Sequence, residues 1–252
     1  MLINPTLDKL RSMKLDGMAL ALQEQIELKN AKELDFEQRL ALLVDREMLN
    51  RDNKRFDRHL KNAKLRQEAT LENIDYKHPR SLDASLMRSL ATCEWIKEHN
   101  NLIITGPTGV GKTYIASALA HQACRNNLTV HYAQSSRLLQ ELLITKGDGR
   151  YLKTLAKLVK ANLLILDDWG LDTPNAEQRR ILLELLDDRY EKGSILIASQ
   201  LPVDLWYDNL SDPTLADAIL DRVIHNSYRI ELSGESLRKT KNNLTSKPSS
   251  ES

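Results

Sequence analysis

A glycine-rich octapeptide, GPTGVGKT, is the segment whose residue types and spacing point most directly to chemistry. It has the form G-x-x-x-x-G-K-[ST], it follows the apolar run NLIIT, and it precedes a helical pattern that begins near Lys112. Glycines let successive backbone N–H groups face an anion, and a helix N-terminus adds the positive end of its dipole. We therefore expect Lys112 to contact the β- and γ-phosphates of a nucleoside triphosphate and the Thr113 hydroxyl to hold Mg²⁺. The complete predicted loop is Gly106, Pro107, Thr108, Gly109, Val110, Gly111, Lys112 and Thr113.

A triphosphate site also needs a carboxylate for the metal and a group that positions the attacking water. The segment LLILDDWG offers both, because the apolar run 163–166 brings Asp167 and Asp168 to the carboxyl end of a strand, where open α/β sheets bind ligands. We expect Asp167 to hold Mg²⁺ and Asp168 to orient or deprotonate the water. The alternative is a buried strand that ends in a helix-capping aspartate.

Two further polar residues follow in the chain. Gln200, after the run SILIAS, could reach between the second carboxylate and the γ-phosphate; alternatively it is a turn residue before Pro202. Arg222 lies in the amphipathic segment LADAILDRVI, and an arginine at a subunit boundary would stabilise transition-state charge on a neighbour's nucleotide. An ordinary surface salt bridge is the alternative for Arg222.

The elements around these residues indicate two kinds of structure. From Asn101 onward short apolar runs alternate with helical patterns, which predicts an α/β fold with a parallel sheet flanked by helices. Upstream the pattern is helical, and Asp35 with Gln38 predicts the capped start of a helix that extends into the sixties. The stretch NIDYKHPRSLDAS is typical of a linker. We predict a small all-α interaction domain at 1–80, a nucleotide-binding domain at 81–238 and a flexible polar tail at 239–252.

Composition narrows the protein class. The formal net charge is +1, and no apolar run approaches the roughly twenty residues that a bilayer requires. With no signal-peptide core either, we expect a cytoplasmic protein with no membrane partner. Cys93 and Cys124 lack metal-ligand spacing and are interpreted as structural thiols, and the six histidines form no pair four residues apart, so a metalloenzyme is not expected.

In the order of these motifs the chain resembles AAA+ ATPases of the initiator and helicase-loader clade, and most closely the IstB-type transposition helper ATPases, with DnaC-type loaders as near relatives. The segments that carry the resemblance are GPTGVGKT, LLILDDWG, ILIASQLP, LADAILDRVIHNSYRIELSGESLRK and the upstream NIDY. It implies an ATP site with Mg²⁺ in which Gln200 is sensor I, Arg222 is the arginine finger and Arg238 matches the sensor II region. AAA+ proteins more often have Glu and Asn where this chain has Asp168 and Gln200. Few residues follow the last predicted strand, which predicts little or no C-terminal helical lid.

Two basic segments are candidates for contact with DNA. Residues 51–66 contain seven basic and two acidic residues, and helical rotation separates Phe56, Leu60 and Ala63 from the cations. From this segment we single out Lys54, Arg55, Arg58 and Lys61. The second candidate is the predicted turn TKGDGR between two helices, which presents Lys146, Arg150 and Lys153 and which the resemblance places toward DNA. A solvated helix and an ordinary crossover pair are the respective alternatives.

The resulting functional prediction is an ATP-dependent oligomeric ATPase, forming a ring or spiral, that binds double-stranded DNA and assists a transposase by engaging or remodelling target DNA. Two alternatives stay open: a DnaC-like loader of a replicative helicase, and a non-hydrolysing ATP-sensing scaffold.

Overall fold

The computed structural model describes residues 5–27 and 34–237. Arg238 and the predicted tail at 239–252 therefore lie outside the described residues. The chain divides into two compact units, Met1–Arg58 and His59–Ser252. This division lies upstream of the boundary at residue 80 that composition predicts. The reason is that residues 59–80 pack within the second unit: His59 Nδ1 lies 3.1 Å from the Leu128 carbonyl oxygen, and Arg125 donates to Glu72 at 2.5 Å.

The first unit is helical, as predicted. It contains α1 (Pro5–Ser12), α2 (Asp16–Glu27) and most of α3 (Phe36–Ala63). The start of α3 is the predicted capping box, in which Asp35 Oδ1 accepts the Gln38 N–H at 2.8 Å and Gln38 Oε1 accepts the Asp35 N–H at 3.3 Å.

A buried carboxylate joins α2 to α3. Glu47 Oε2 accepts the N–H groups of Gly17 at 2.7 Å and Met18 at 3.2 Å, so a side chain of α3 caps the N-terminus of α2. Burial acts to raise the pKa of Glu47, but hydrogen bonds from Arg51 and these two amides outweigh it and hold the pKa below its ordinary value. Only glycine fits at position 17, because a Cβ there would lie 2.7 Å from the Arg46 carbonyl oxygen.

The second unit is built on a five-stranded, fully parallel sheet in the order β2-β3-β4-β1-β5. This confirms the predicted α/β fold. The strands are β1 (Asn101–Thr105), β2 (Val130–Gln134), β3 (Leu163–Trp169), β4 (Ser194–Ser199) and β5 (Ser227–Glu231). The helices are α4 (Ala84–Ala91), α5 (Glu94–Lys97), α6 (Lys112–Arg125), α7 (Ser135–Gly147), α8 (Tyr151–Lys160), α9 (Ala176–Arg189), α10 (Trp206–Leu210) and α11 (Pro213–Ile224), with 3-10 turns at Leu71–Asn73 and Val203–Leu205.

Alternating side chains of the sheet fill two buried layers. One layer, which packs with α7 to α11, contains Ile103, Leu164, Leu166, Ile195 and Ile197. The intervening residues Leu102, Ile104, Leu163, Ile165 and Leu196 are equally buried and point to the opposite face. Helix α6 packs against β1 to β4. Burial on both faces explains why the strands are nearly continuous apolar runs.

Local sequence signals explain where the helices of the second unit begin. Asn175 and Gln178 form a capping box at the start of α9, and the Asp212 carboxylate accepts the Leu215 N–H at 3.1 Å ahead of Pro213 in α11. These caps fix the ends of the helices that follow β3 and β4, the strands that carry the predicted acids and Gln200.

Both cysteines are buried and unbonded to each other, which agrees with structural thiols. Burial raises the pKa of each thiol to about 11, so both are protonated at neutral pH. Within residues 5–27 and 34–237 no helix is long and apolar enough to span a bilayer.

Candidate nucleotide-binding site

The glycine-rich loop connects β1 to α6 at the carboxyl end of the sheet. Gly106, Gly109 and Gly111 all have positive φ values, of 145°, 88° and 100°. At Gly106 a Cβ would lie 2.3 Å from the Leu232 carbonyl oxygen, and at Gly109 one would lie 2.0 Å from Ser236 Oγ. Both the backbone conformation and the close approach of the chain after β5 therefore require glycine at these positions.

The loop residues fit the phosphate chain of ATP. The N-cap of α6 is Gly111, which has no side chain that could accept the first N–H groups of the helix, so this N-terminus is suited to an anion. Lys112 Nζ is buried and donates to the carbonyls of Gly106 at 2.6 Å and Pro107 at 2.8 Å, which fixes its charge inside the loop. Val110 is fully buried and anchors the loop to the core.

Strand β3 brings the two predicted acids to the same place. The pairing of β3 with β4 shifts register between Leu166 and Trp169, and Asp168 has a left-handed φ of 56°. A bulge of this kind turns successive side chains away from strict alternation. As a result, both carboxylates face the loop side of the sheet.

Asp167 lies against the predicted metal ligand on α6. The Thr113 hydroxyl donates to Asp167 Oδ2 at 2.9 Å, and the Tyr132 hydroxyl donates to the same oxygen at 2.6 Å. Burial and the bond to Asp167 raise the pKa of Tyr132, so this phenol stays a proton donor. A hydroxyl and a carboxylate side by side are the oxygen ligands that Mg²⁺ prefers, which fits the ion that accompanies ATP.

Asp168 is held by two donors that the sequence did not assign to the site. Arg66 Nη1 lies 3.1 Å and Gln134 Nε2 lies 2.8 Å from Asp168 Oδ2. Arg66 also lies 4.0 Å from Asp167 Oδ2, and its pKa is raised by its hydrogen bond to Tyr132 and by Asp168. Two polar residues of β2 and one arginine from the segment after α3 therefore surround the acids.

Gln200 lies beside the loop, as its position after β4 predicts. Its Oε1 accepts a hydrogen bond from the Thr108 hydroxyl at 2.5 Å. Sheet order explains this contact, because β4 is the direct neighbour of β1.

Arg222 lies at the other end of the sheet. The Arg222 carbonyl oxygen accepts a hydrogen bond at 3.1 Å from Asn101 Nδ2, and Asn101 is the first residue of β1, whereas the loop follows its last residue. Five strand residues span about 16 Å, so Arg222 is remote from the loop. Its guanidinium pairs with Asp187 and donates to the Ala218 carbonyl oxygen at 2.7 Å.

A buried arginine upstream in the sequence forms a hydrogen bond with the glycine-rich loop. Arg80 is almost fully buried, and it donates to the carbonyls of Val110 at 3.3 Å and Asp75 at 3.0 Å. Burial lowers its pKa below the ordinary value. The sequence placed Arg80 in a linker and carried no signal for this contact.

Most of the cations proposed for DNA contact are paired with acids. Lys54 pairs with Asp16 at 2.5 Å, Arg55 with Asp52 at 3.5 Å, Lys146 with Glu177 at 3.8 Å, and Arg150 with Asp148. Within the part of the chain that the structure describes, Arg58, Lys61 and Lys153 have no ion pair within 4.0 Å. The pattern of exposed cations and more buried Phe56, Leu60 and Ala63 agrees with the predicted amphipathic helix.

Comparison with known proteins assigns the family. The family profile described as IstB-like ATP binding protein matches residues 8–245. A putative insertion sequence ATP-binding protein, y4pL of Sinorhizobium fredii, is 47% identical over 239 residues, which cover 95% of this chain and 98% of that protein.

Solved structures support the fold. The DnaC helicase loader aligns with a TM-score of 0.53 at 21% identity, covering 65% of this chain and 96% of that one. The replication initiator DnaA, bound to AMPPCP and single-stranded DNA, aligns with a TM-score of 0.54 at 21% identity, covering 71% and 56%. With the loop, the acids and the parallel sheet described above, this chain belongs to the IstB-like ATP binding protein family and has an AAA+ P-loop fold.

Proposed function

We propose that this protein is an oligomeric ATPase that hydrolyses ATP, binds double-stranded DNA and assists the transposase of an insertion sequence by engaging or remodelling target DNA. The observation that carries the proposal is the division of the site between the two ends of β1. Lys112, Thr113 and the two acids lie at one end, and Arg222 lies at the other. If Arg222 contributes to a nucleotide site, that site must therefore belong to a second subunit, which would link ATP binding to assembly.

Each residue has a defined task in this proposal. Lys112 and the N-terminus of α6 bind the phosphate chain, while Thr113 and Asp167 hold Mg²⁺. Asp168 accepts a hydrogen bond from the attacking water, and Gln200 orients the γ-phosphate beside it. Bound ATP with Mg²⁺ would supply the phosphoanhydride bond whose cleavage drives the cycle. Arg222 stabilises transition-state charge on the neighbouring subunit's nucleotide. Arg238, outside the described residues, is proposed as a further contact to the phosphates.

The involvement of DNA and a transposase is supported by the relatives. The similar y4pL is described as an insertion sequence ATP-binding protein, and DnaA, which shares the fold, has been solved with an ATP analogue and single-stranded DNA. We place this protein in the cytoplasm, where ATP and the target DNA are available.

Three measurements on the purified protein test the proposal. Phosphate release with and without duplex DNA reports hydrolysis, and light scattering with ATP reports assembly. Duplex binding across a salt titration reports the number of phosphates contacted. We expect ATP-dependent assembly, DNA binding that weakens with salt, and association with the transposase of the same insertion sequence.

Other outcomes would favour the alternatives. Preference for single strands together with binding to a hexameric helicase would favour a helicase loader. ATP binding without turnover, in the presence and absence of DNA, would favour a scaffold that senses ATP.

A further inference from the structure

A basic groove runs along the free edge of β2. We call it the β2 groove; it has a volume of about 410 Å³ and its charged lining residues are Lys64, Arg66, Arg137, Glu141 and Lys157. Four of these five charges are positive. Strand β2 is an edge strand of the sheet. The segment after α3, helix α7 and helix α8 border the groove beside it.

Three of the four cations of the β2 groove are available to a ligand. Within residues 5–27 and 34–237, Lys64, Arg137 and Lys157 have no ion pair within 4.0 Å, and all three are exposed. By contrast, Lys54, Arg55, Lys146 and Arg150 are already paired with acids of this chain. A phosphate backbone would have to displace those acids, whereas in the β2 groove it meets free charges.

A histidine side chain also lines the groove. His131 lies on β2 among these side chains. Burial, together with the positive charges of Lys157 and Lys64, lowers the pKa of His131 to about 4. The groove therefore holds this ring neutral at physiological pH while the surrounding charges stay positive.

One side chain belongs both to the groove and to the nucleotide site. Arg66 lines the groove and donates to Asp168 Oδ2, the same oxygen that accepts from Gln134. With two donors directed at it, this oxygen has no free lone pair for a water proton. Release of Arg66 would free one acceptor position on Oδ2 and would remove a positive charge from beside the carboxylate that the proposed mechanism uses.

We infer that the β2 groove binds the sugar-phosphate backbone of duplex DNA and that Arg66, by leaving Asp168 for a DNA phosphate, couples DNA occupancy to ATP hydrolysis. This inference rests on the proposed function and adds a location and a coupling residue to it. Arg66 is a positioning residue here, because it acts on the water through Asp168.

The binding site is tested with two matched triple variants. Lys64→Ala/Arg137→Ala/Lys157→Ala removes the free groove cations. Arg88→Ala/Lys192→Ala/Arg229→Ala removes three exposed, unpaired cations elsewhere, one of them on β5 at the opposite edge of the sheet. Duplex affinity is measured by fluorescence anisotropy over a salt series. Melting temperature and binding of a fluorescent ATP analogue serve as folding controls.

The groove triple variant should lose affinity uniformly across unrelated duplexes, and the slope of log affinity against log salt should become shallower by about 2 to 3. The control variant should keep the wild-type slope. Equal affinities of the two variants would overturn the location. A groove variant that binds duplex normally but loses a partner protein would overturn it in favour of an acidic protein ligand.

The coupling is tested with Arg66→Ala and Arg66→Lys. In Arg66→Ala, turnover without DNA should rise by about tenfold or more, the factor expected for loss of one charge-assisted hydrogen bond. The ratio of turnover with DNA to turnover without DNA should fall to unity. Arg66→Lys, which keeps the charge, should give an intermediate ratio. A fall in DNA-free turnover, or an unchanged ratio, would overturn the coupling.

The proposed function and this inference would be contradicted by different results. If the wild-type protein neither binds duplex DNA nor hydrolyses ATP, the proposed function fails and this inference fails with it. If the wild-type protein does both and the groove triple and Arg66 variants behave like the control, only the inference fails.

Discussion

Arg189→Met should destabilise the second unit severely. Arg189, the last residue of α9, is completely buried, and within the described residues it has no carboxylate within 4.0 Å. Its guanidinium instead donates to the carbonyls of Leu158 at 2.6 Å, Ala161 at 2.9 Å and Ser194 at 2.7 Å. Methionine fills a similar volume but removes the donor to all three carbonyls, and the Leu158 carbonyl keeps only a long bond from the Ala161 N–H at 3.4 Å. At roughly 1 to 3 kcal/mol each, partly relieved by removing a buried charge, the loss should be about 3–5 kcal/mol.

Urea unfolding followed by circular dichroism measures this loss. Arg179→Met on the same helix is the matched control, because Arg179 is only partly buried and, among the described residues, its side chain makes one hydrogen bond, to the Pro174 carbonyl oxygen at 2.7 Å. It should cost about 1 kcal/mol. Equal effects of the two substitutions, or a loss below about 1 kcal/mol for Arg189→Met, would show that water or backbone movement satisfies the three carbonyls.

Three further predictions concern the site and its surroundings. Asp168→Asn should keep ATP bound but slow phosphate release by about a hundredfold or more, because an amide is a poor proton acceptor. Unchanged turnover would mean that another residue positions the water, and Glu177 in the first turn of α9 would be the next candidate. Arg222→Ala and Lys112→Ala should each be inactive, yet an equal mixture should recover about a quarter of the wild-type rate, since one interface in four pairs an intact loop with an intact arginine. No recovery in proven mixed oligomers would mean that Arg222 works within its own subunit or only in packing. The pKa of His131 is about 6.5 in the unfolded chain and about 4 in the folded protein. The contribution of His131 to the free energy of unfolding is therefore fully present above pH 6.5, and the free energy falls by about 3 kcal/mol as the pH drops to 4. His131→Phe should lose less stability over that pH range in urea titrations, and an identical pH profile would contradict the assignment.

The strands and the nucleotide loop could be predicted because their signals are local. A parallel strand buried on both faces is a short apolar run, and the loop motif is contiguous in the chain. Position after a strand also placed Asp167, Asp168 and Gln200 correctly at the carboxyl end of the sheet.

The partners of these residues could not be predicted, because they depend on strand order and on distant segments. Tyr132 and Gln134 reach the acids only because β2 is the neighbour of β3. Arg66 is 102 residues from Asp168 in sequence, and Asp16, which neutralises Lys54, is 38 residues upstream of it. A charge run in the sequence therefore shows how many cations there are but not which of them are free.

If Arg222 acts on a neighbouring subunit's nucleotide, as proposed, its position at the opposite end of β1 from the loop also determines what kind of assembly would form. A two-fold dimer brings identical patches together, so it cannot join a loop to an arginine unless both lie in the shared patch. Subunits that join these two ends must associate head to tail. Repeated head-to-tail contacts give either a closed ring or an open row of subunits. In an open row the subunit at one end would bind ATP without receiving Arg222 from a neighbour. That terminal nucleotide would be hydrolysed last, and it would give an otherwise repetitive assembly a direction along DNA.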